Sequence, residues 1–162
     1  MIFLVHHADA VGPDVDPGRP LSSGGRATAE RLAFDAFKKG VRPECVWHSG
    51  KMRARQTAEI FWRACNPLAT LTAERALQPG DPPVWMRDRL LGDSRDLMVV
   101  GHMPHLDELL CLMTQTGGPE GPPLPTERRD GPAFPLHGIV ALEAADDGRW
   151  VERWRIEAGG RS

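Results

Sequence analysis

Met1-Ile2-Phe3-Leu4-Val5-His6-His7-Ala8-Asp9-Ala10 opens the chain with an uncharged run that ends in two adjacent imidazoles. A run with neither charge nor turn residue suits a strand buried on both faces, as in the parallel sheets of α/β proteins, where ligands collect outside the carboxyl ends of the strands. Two later segments repeat the arrangement. Cys45-Val46-Trp47-His48-Ser49 runs into a helical pattern carrying Arg53, and Leu97-Met98-Val99-Val100-Gly101-His102 runs into one that starts near Pro104. Three strand ends therefore offer His7, Arg53 and His102 to one rim.

Between these strands the punctuation is that of alternating strands and helices. Residues 11 to 20 hold three prolines, two glycines and two aspartates, the composition of an irregular loop, with Arg19 near its end. A capping serine then leads into apolar groups at helical spacing through Ala27, Ala29, Leu32, Ala33, Ala36 and Phe37, which predicts a helix over 23–39 stopped by Gly40. Strand two is expected at 43–49, a helix from Lys51 to about Cys65 that Asn66-Pro67 ends, and a weak short strand at 68–73. Asp81-Pro82-Pro83 starts a helix to about Leu91, since proline is tolerated in a first turn. The third strong strand is 96–101, and a helix from Pro104 to about Thr114 follows it.

Residues 117 to 135 are too dense in proline and glycine for a helix or a central strand and read as a long surface loop able to cover the rim. Strands near 137–144 and 149–157, joined by Asp146-Asp147-Gly148, make an antiparallel hairpin at the sheet edge. The expected architecture is a three-layer α/β/α sandwich with a mainly parallel sheet and an antiparallel edge. Residues 1–162 suit one domain.

A net charge of −2 without a basic block argues against nucleic acid as the main partner, and no apolar stretch reaches membrane-spanning length. Cys45, Cys65 and Cys111 are odd in number and lie apart in apolar segments, which favours buried reduced thiols over disulfides. With no signal peptide visible, the expected compartment is the cytoplasm. Oligomeric state is not legible.

Four pieces in one order carry a family resemblance. His6-His7-Ala8 follows the first strand; Arg19-Pro20-Leu21-Ser22-Ser23-Gly24-Gly25 comes next; then Ser49-Gly50-Lys51-Met52-Arg53-Ala54-Arg55-Gln56-Thr57; then Val99-Val100-Gly101-His102-Met103-Pro104. Over nearly its whole length the chain resembles the histidine phosphatase superfamily, with its phosphoglycerate-mutase-like fold, and within it the small SixA-type phosphohistidine phosphatases. The resemblance implies a phosphatase needing no cofactor or metal, with His7 as nucleophile and Arg53 and His102 as phosphate ligands. It also implies a phosphorylated protein or small phosphorylated substrate as partner. His6, Arg19, Ser49 and Asp81 are the further candidates for binding the substrate.

The chemistry agrees, because phosphoryl transfer needs an in-line nucleophile and fixed positive charge around the equatorial oxygens, and little else. A neutral imidazole at His7 supplies the first, provided its other nitrogen is held by a backbone carbonyl. Arg53 presents a planar fork at a helix N-terminus, and His102, if protonated, holds a third oxygen.

The main departure from the family pattern is His6, which stands where the family has an arginine. Histidine has a reference pKa of about 6.5, so a permanent charge becomes a conditional one. Losing one charge-assisted hydrogen bond costs roughly 1.5 to 3 kcal/mol, about ten- to a hundredfold in binding, which points to a weak or acid-shifted enzyme. A second departure is Gly50 in place of proline, read as a looser turn. Larger relatives carry a glutamate acid where this chain has Gln78-Pro79-Gly80-Asp81, which leaves Asp81 as the candidate acid. The missing glutamate favours phosphohistidine, whose P–N bond breaks readily once the leaving imidazole is protonated.

Two other readings compete. One is a silent relative that binds phosphorylated ligands or partners through the same rim. The other is a metal site built from His6, His7, His102 and His105 with Asp9 or Asp107, disfavoured by the nearby arginine. His48, His105 and His137 read as structural, with His137 at a strand start from which it can approach the rim.

Overall fold

A computed structural model describes residues 1–115, 132–146 and 149–159. Ten elements alternate along the chain: β1 (Ile2–His6), α1 (Ser23–Lys38), β2 (Cys45–His48), α2 (Met52–Cys65), β3 (Thr70–Ala73), α3 (Pro83–Leu91), β4 (Leu97–Gly101), α4 (His105–Gln115), β5 (Ile139–Ala144) and β6 (Trp150–Ile156). Each predicted element is present, with ends that differ by a residue or two. Most of the 117–135 loop lies outside the described residues, as do Asp147 and Gly148 of the expected hairpin turn.

The helix boundaries follow local chemistry. Ser22 caps α1 by accepting the Gly25 N–H at 2.9 Å, and Gly40 ends it with a φ of 82°. Pro83 occupies the first turn of α3, where no intrahelical N–H is needed.

The six strands form one sheet in the order β3-β2-β4-β1-β5-β6. β1, β2, β3 and β4 run parallel to their neighbours, while β5 pairs antiparallel with both β1 and β6. Alternation along each strand then divides the core into two layers. Ile2, Leu4, Trp47, Leu97 and Val99 face α3 and α4, where Met86, Leu90, Leu106 and Leu110 meet them. Phe3, Val5, Val46, Met98 and Val100 face α1 and α2, where Leu32, Ala36, Ala58 and Phe61 meet them. Phe61 is fully buried, so its truncation to alanine is expected to cost about 3–5 kcal/mol. The fold is thus the three-layer sandwich expected, antiparallel at one edge.

Cys45 and Cys65 are buried and Cys111 is half-buried, which corrects the expectation of three buried thiols. Among the described residues no helix is long and apolar enough to cross a membrane.

Topology sets up the rim. β1 lies between its parallel neighbour β4 and its antiparallel neighbour β5, so the end of β1 meets the end of β4 and the start of β5. His6 is in register with Gly101, His7 N–H donates to the Gly101 carbonyl at 3.2 Å, and His6 N–H donates to the Gly138 carbonyl at 3.0 Å.

Candidate active site

His7 leaves the end of β1 with both ring nitrogens engaged. Its Nδ1 lies 2.8 Å from the Ala8 carbonyl oxygen, which only accepts, so the proton sits on Nδ1. Nε2 therefore carries a lone pair, and it accepts from the Arg53 Nε–H at 3.1 Å. Burial, with Arg53, Arg19 and His137 nearby, lowers the His7 pKa to about 4 against the hydrogen bond to Ala8, so the ring is neutral at pH 7.

Arg53 is the second residue of α2, whose N-terminal dipole points its positive end at the same place. Thr57, one turn on, donates to the Arg53 carbonyl at 2.8 Å and accepts the Ala8 N–H at 3.1 Å. One buried hydroxyl thus ties the helix that carries Arg53 to the peptide that orients His7. On the other side, Ser22 donates to the Asp9 carboxylate at 2.6 Å, and its N–H donates to the Asp9 carbonyl at 3.0 Å. A Cβ on Gly25 would overlap the Asp9 carbonyl oxygen, so only glycine lets the start of α1 approach this backbone.

His102 follows β4, and its ring centroid is 4.9 Å from that of His7. Ser49 Oγ lies 2.6 Å from its Nε2, while its buried Nδ1 has no partner. Burial and the neighbouring His7, Arg53 and Lys51 push its pKa down to about 3. The condition that His102 be protonated is therefore not met: the ring is neutral, because removing it from water disfavours the charged form.

His6 is also neutral. It is 5% exposed, and burial, followed by His7, His137 and Arg53, lowers its pKa to about 3. Its Nδ1 accepts the His137 N–H at 2.9 Å, which leaves the proton on Nε2.

His137 is the residue that sequence reasoning treated as structural. Its ring stacks on His6 with centroids 5.0 Å apart and planes 3° from parallel, and its Nδ1 donates to the His7 carbonyl at 2.6 Å. Its φ is 54°, a left-handed conformation uncommon for a non-glycine residue.

The remaining candidates divide. Arg19, at a φ of 49° and with its Nε 3.4 Å from the Val11 carbonyl, is close enough to act on His7 and Arg53. Ser49 reaches the rim through His102. Asp81 does not join these groups: its carboxylate accepts the Gln78 N–H at 2.9 Å and acts on buried His105. With Ser49, Gln78 and Trp85 it lines a neighbouring cavity of about 530 Å³.

Gly50 is not merely a looser turn. It adopts a φ of 83°, closed to proline, and its N–H donates to His48 Nδ1 at 3.0 Å, a bond proline lacks.

One ring nitrogen from each of His6, His7 and His137 lies within 4.8 Å of the others, the described grouping closest to a metal site. The surroundings do not suit a cation, since the Arg53 guanidinium contacts the His7 lone pair and the His6 tautomer leaves a donor where a ligand needs a lone pair.

No family model matches the chain, and no curated protein matches it. Solved structures do. The protein histidine phosphatase SixA complexed with tungstate is 21% identical, with a TM-score of 0.77 over 97% of this chain and 96% of that one. A protein of Agrobacterium tumefaciens proposed to be a SixA phosphohistidine phosphatase is 22% identical, with a TM-score of 0.73 over 96% of both chains. The phosphoglycerate mutase of Plasmodium falciparum is 20% identical, with a TM-score of 0.65 over 94% of this chain and 87% of that one. The fold is the phosphoglycerate-mutase-like fold in its small, SixA-like form.

Proposed function

We propose that this chain, which has the SixA-like fold, is a cytoplasmic phosphatase that passes a phosphoryl group to His7 and then to water, with a protein phosphohistidine as its substrate. The observation that carries the reading is the state of His7: Nδ1–H is fixed by the Ala8 carbonyl, and the bare Nε2 faces the Arg53 guanidinium. That is a neutral nucleophile whose attacking atom already lies against the cation that would grip the phosphoryl oxygens.

In the first step the Nε2 lone pair attacks phosphorus. The phosphohistidine enters with its second ring nitrogen protonated, so as the bond from phosphorus to Nε2 forms and the bond to the leaving imidazole breaks, that imidazole keeps the electron pair and departs neutral with the proton it already carried. The imidazolium now at His7 is held by the Ala8 carbonyl. In the second step water attacks phosphorus, the bond to Nε2 breaks, inorganic phosphate leaves, and His7 returns to its neutral form. Arg53 donates to two oxygens throughout, with Arg19 adding charge from the loop. His102, with its ring centroid 4.9 Å from that of His7 and its Nε2 against Ser49 Oγ, is the neighbouring ring that would serve a third oxygen. A metal is not needed in this scheme, because the guanidinium supplies the fixed charge.

A second reading, a phosphate-binding relative with little turnover, is favoured by one observation: the neutral imidazole of His6 replaces a permanent charge. Incubation with a phosphohistidine protein and with a phosphate ester, beside His7→Ala, separates the two. Release of phosphate from phosphohistidine that His7→Ala abolishes supports the enzyme. Hydrolysis of the ester alone removes the substrate assignment, and binding of phosphate without release of product supports the second reading.

A further inference from the structure

The Nδ1 atoms of three rim histidines are all committed to backbone groups. His6 Nδ1 accepts from the His137 N–H, His7 Nδ1 donates to the Ala8 carbonyl, and His137 Nδ1 donates to the His7 carbonyl. What each ring has left for a ligand is Nε2. One ring nitrogen of each lies within 4.8 Å of the others, and no carboxylate joins the cluster among the described residues. Arg53 acts on His6 and His7, and Arg19 on His7. Three convergent nitrogens beside guanidinium charge, without an acid, match an anion that both donates and accepts hydrogen bonds.

His137 is held there at a cost. A φ of 54° is a sparsely populated conformation for histidine, and such strain persists only where surrounding contacts enforce it. Here those contacts are the bonds to His6 and His7 together with the parallel stack on His6. Half-buried where His6 is nearly sealed, the His137 ring is the more accessible of the stacked pair.

On the basis of the phosphatase reading above, we propose that His137 is a phosphate-binding residue of this rim. Its Nε2 shares one proton with a phosphoryl oxygen, and the Nε2–H of His6 beside it donates to another. The balance is simple: the neutral ring accepts from a protonated phosphoryl oxygen, or the ring carries that proton and donates it, and no covalent bond changes. The parallel stack thus sets the Nε2 of His137 beside the Nε2–H of His6, one site that shares a proton next to one that donates.

The test is calorimetric binding of inorganic phosphate to the whole chain, comparing wild type with His137→Asn and Arg53→Ala. Asparagine tolerates the left-handed backbone, and its side-chain N–H reproduces the donor to the His7 carbonyl, but it lacks the atom in the Nε2 position. The expected result is that His137→Asn still melts cooperatively as a folded protein and binds phosphate about tenfold more weakly, the size of one lost hydrogen bond to a charged group. Wild-type affinity in His137→Asn, with binding lost in Arg53→Ala, overturns the inference and leaves the phosphatase reading standing. Unchanged binding in both variants overturns both.

A measurement on the unaltered protein guards against a variant that fails to fold. In ¹⁵N spectra of the imidazoles, phosphate is expected to shift the His137 Nε2 resonance, while Nδ1 keeps its proton on the His7 carbonyl. An Nε2 resonance that does not respond to phosphate overturns the proposal.

Discussion

Arg53 Nε donates to His7 Nε2 across 3.1 Å, so the guanidinium occupies the lone pair that would attack phosphorus. The contact has two sides. It holds the ring aligned and keeps protons off Nε2, and it must turn its donors onto phosphoryl oxygens when substrate arrives. Arg53 is one of the charges that lower the His7 pKa to about 4, after burial.

Replacement of Arg53 by alanine is therefore expected to raise the His7 pKa, since a neighbouring cation disfavours the imidazolium. Titration of the His7 ring by NMR checks this, and an unchanged or lower value would exclude the contact described. The same variant should bind phosphate about ten- to a hundredfold more weakly for each charge-assisted bond it loses.

Thr57→Val is nearly isosteric but removes the acceptor for the buried Ala8 N–H. An unsatisfied buried amide costs about 1–3 kcal/mol, so the melting temperature is expected to fall by several degrees. Because Ala8 also orients His7, turnover should fall by more than the loss of folded protein explains. Equal activity per folded molecule would show that Ala8 does not control the ring.

Acidification is expected to destabilise the fold. His6, His7 and His102 have pKa values lowered to about 3, 4 and 3, and those of buried His48 and His105 are lowered too. The unfolded chain gains protons at these sites as pH falls through about 6.5, while the folded chain gains them at lower pH, near 3 to 4 for His6, His7 and His102. Their contribution is complete above about pH 6.5 and is lost as pH falls toward 4. Melting curves from pH 7 to pH 4.5 should show a steady decline in Tm, and a flat or rising Tm would mean these rings are not held neutral.

His6→Arg should strengthen substrate binding and raise activity near neutral pH, because it restores a permanent charge. It should also lower stability, since the His137 N–H loses its acceptor and the stacked ring its partner. Steady-state kinetics paired with thermal melts test both halves. No gain in activity would show that position 6 does not face the phosphate.

How much of this was legible in the sequence depends on how local the signal is. Apolar runs such as Leu97–Gly101, caps such as Ser22 and stops such as Gly40 act within a few residues, and the elements they predict are those present. Residues just past the strand ends, His7 and His102, were legible because parallel neighbours bring their carboxyl ends together. The role of His137 was not. It lies 130 residues from His7, and only the antiparallel pairing of β5 with β1 sets it beside that ring. The neutrality of His102 was hidden for a different reason, since burial decides it and burial follows from the packing of the folded chain, whereas that of His6 was expected from its reference pKa alone. Gly50 shows the same limit: its composition signalled a turn, but its positive φ and its bond to His48 belong to the folded state.

The central claim is that the phosphoryl group rests on His7 between substrate and water. Rapid quench with a ³²P-labelled phosphohistidine protein, followed by peptide mapping, tests it most directly. The expected result is an alkali-stable, acid-labile phosphoryl group on the peptide that carries His7, absent in His7→Ala. Phosphate release that survives in His7→Ala, or label found on another residue, would contradict it.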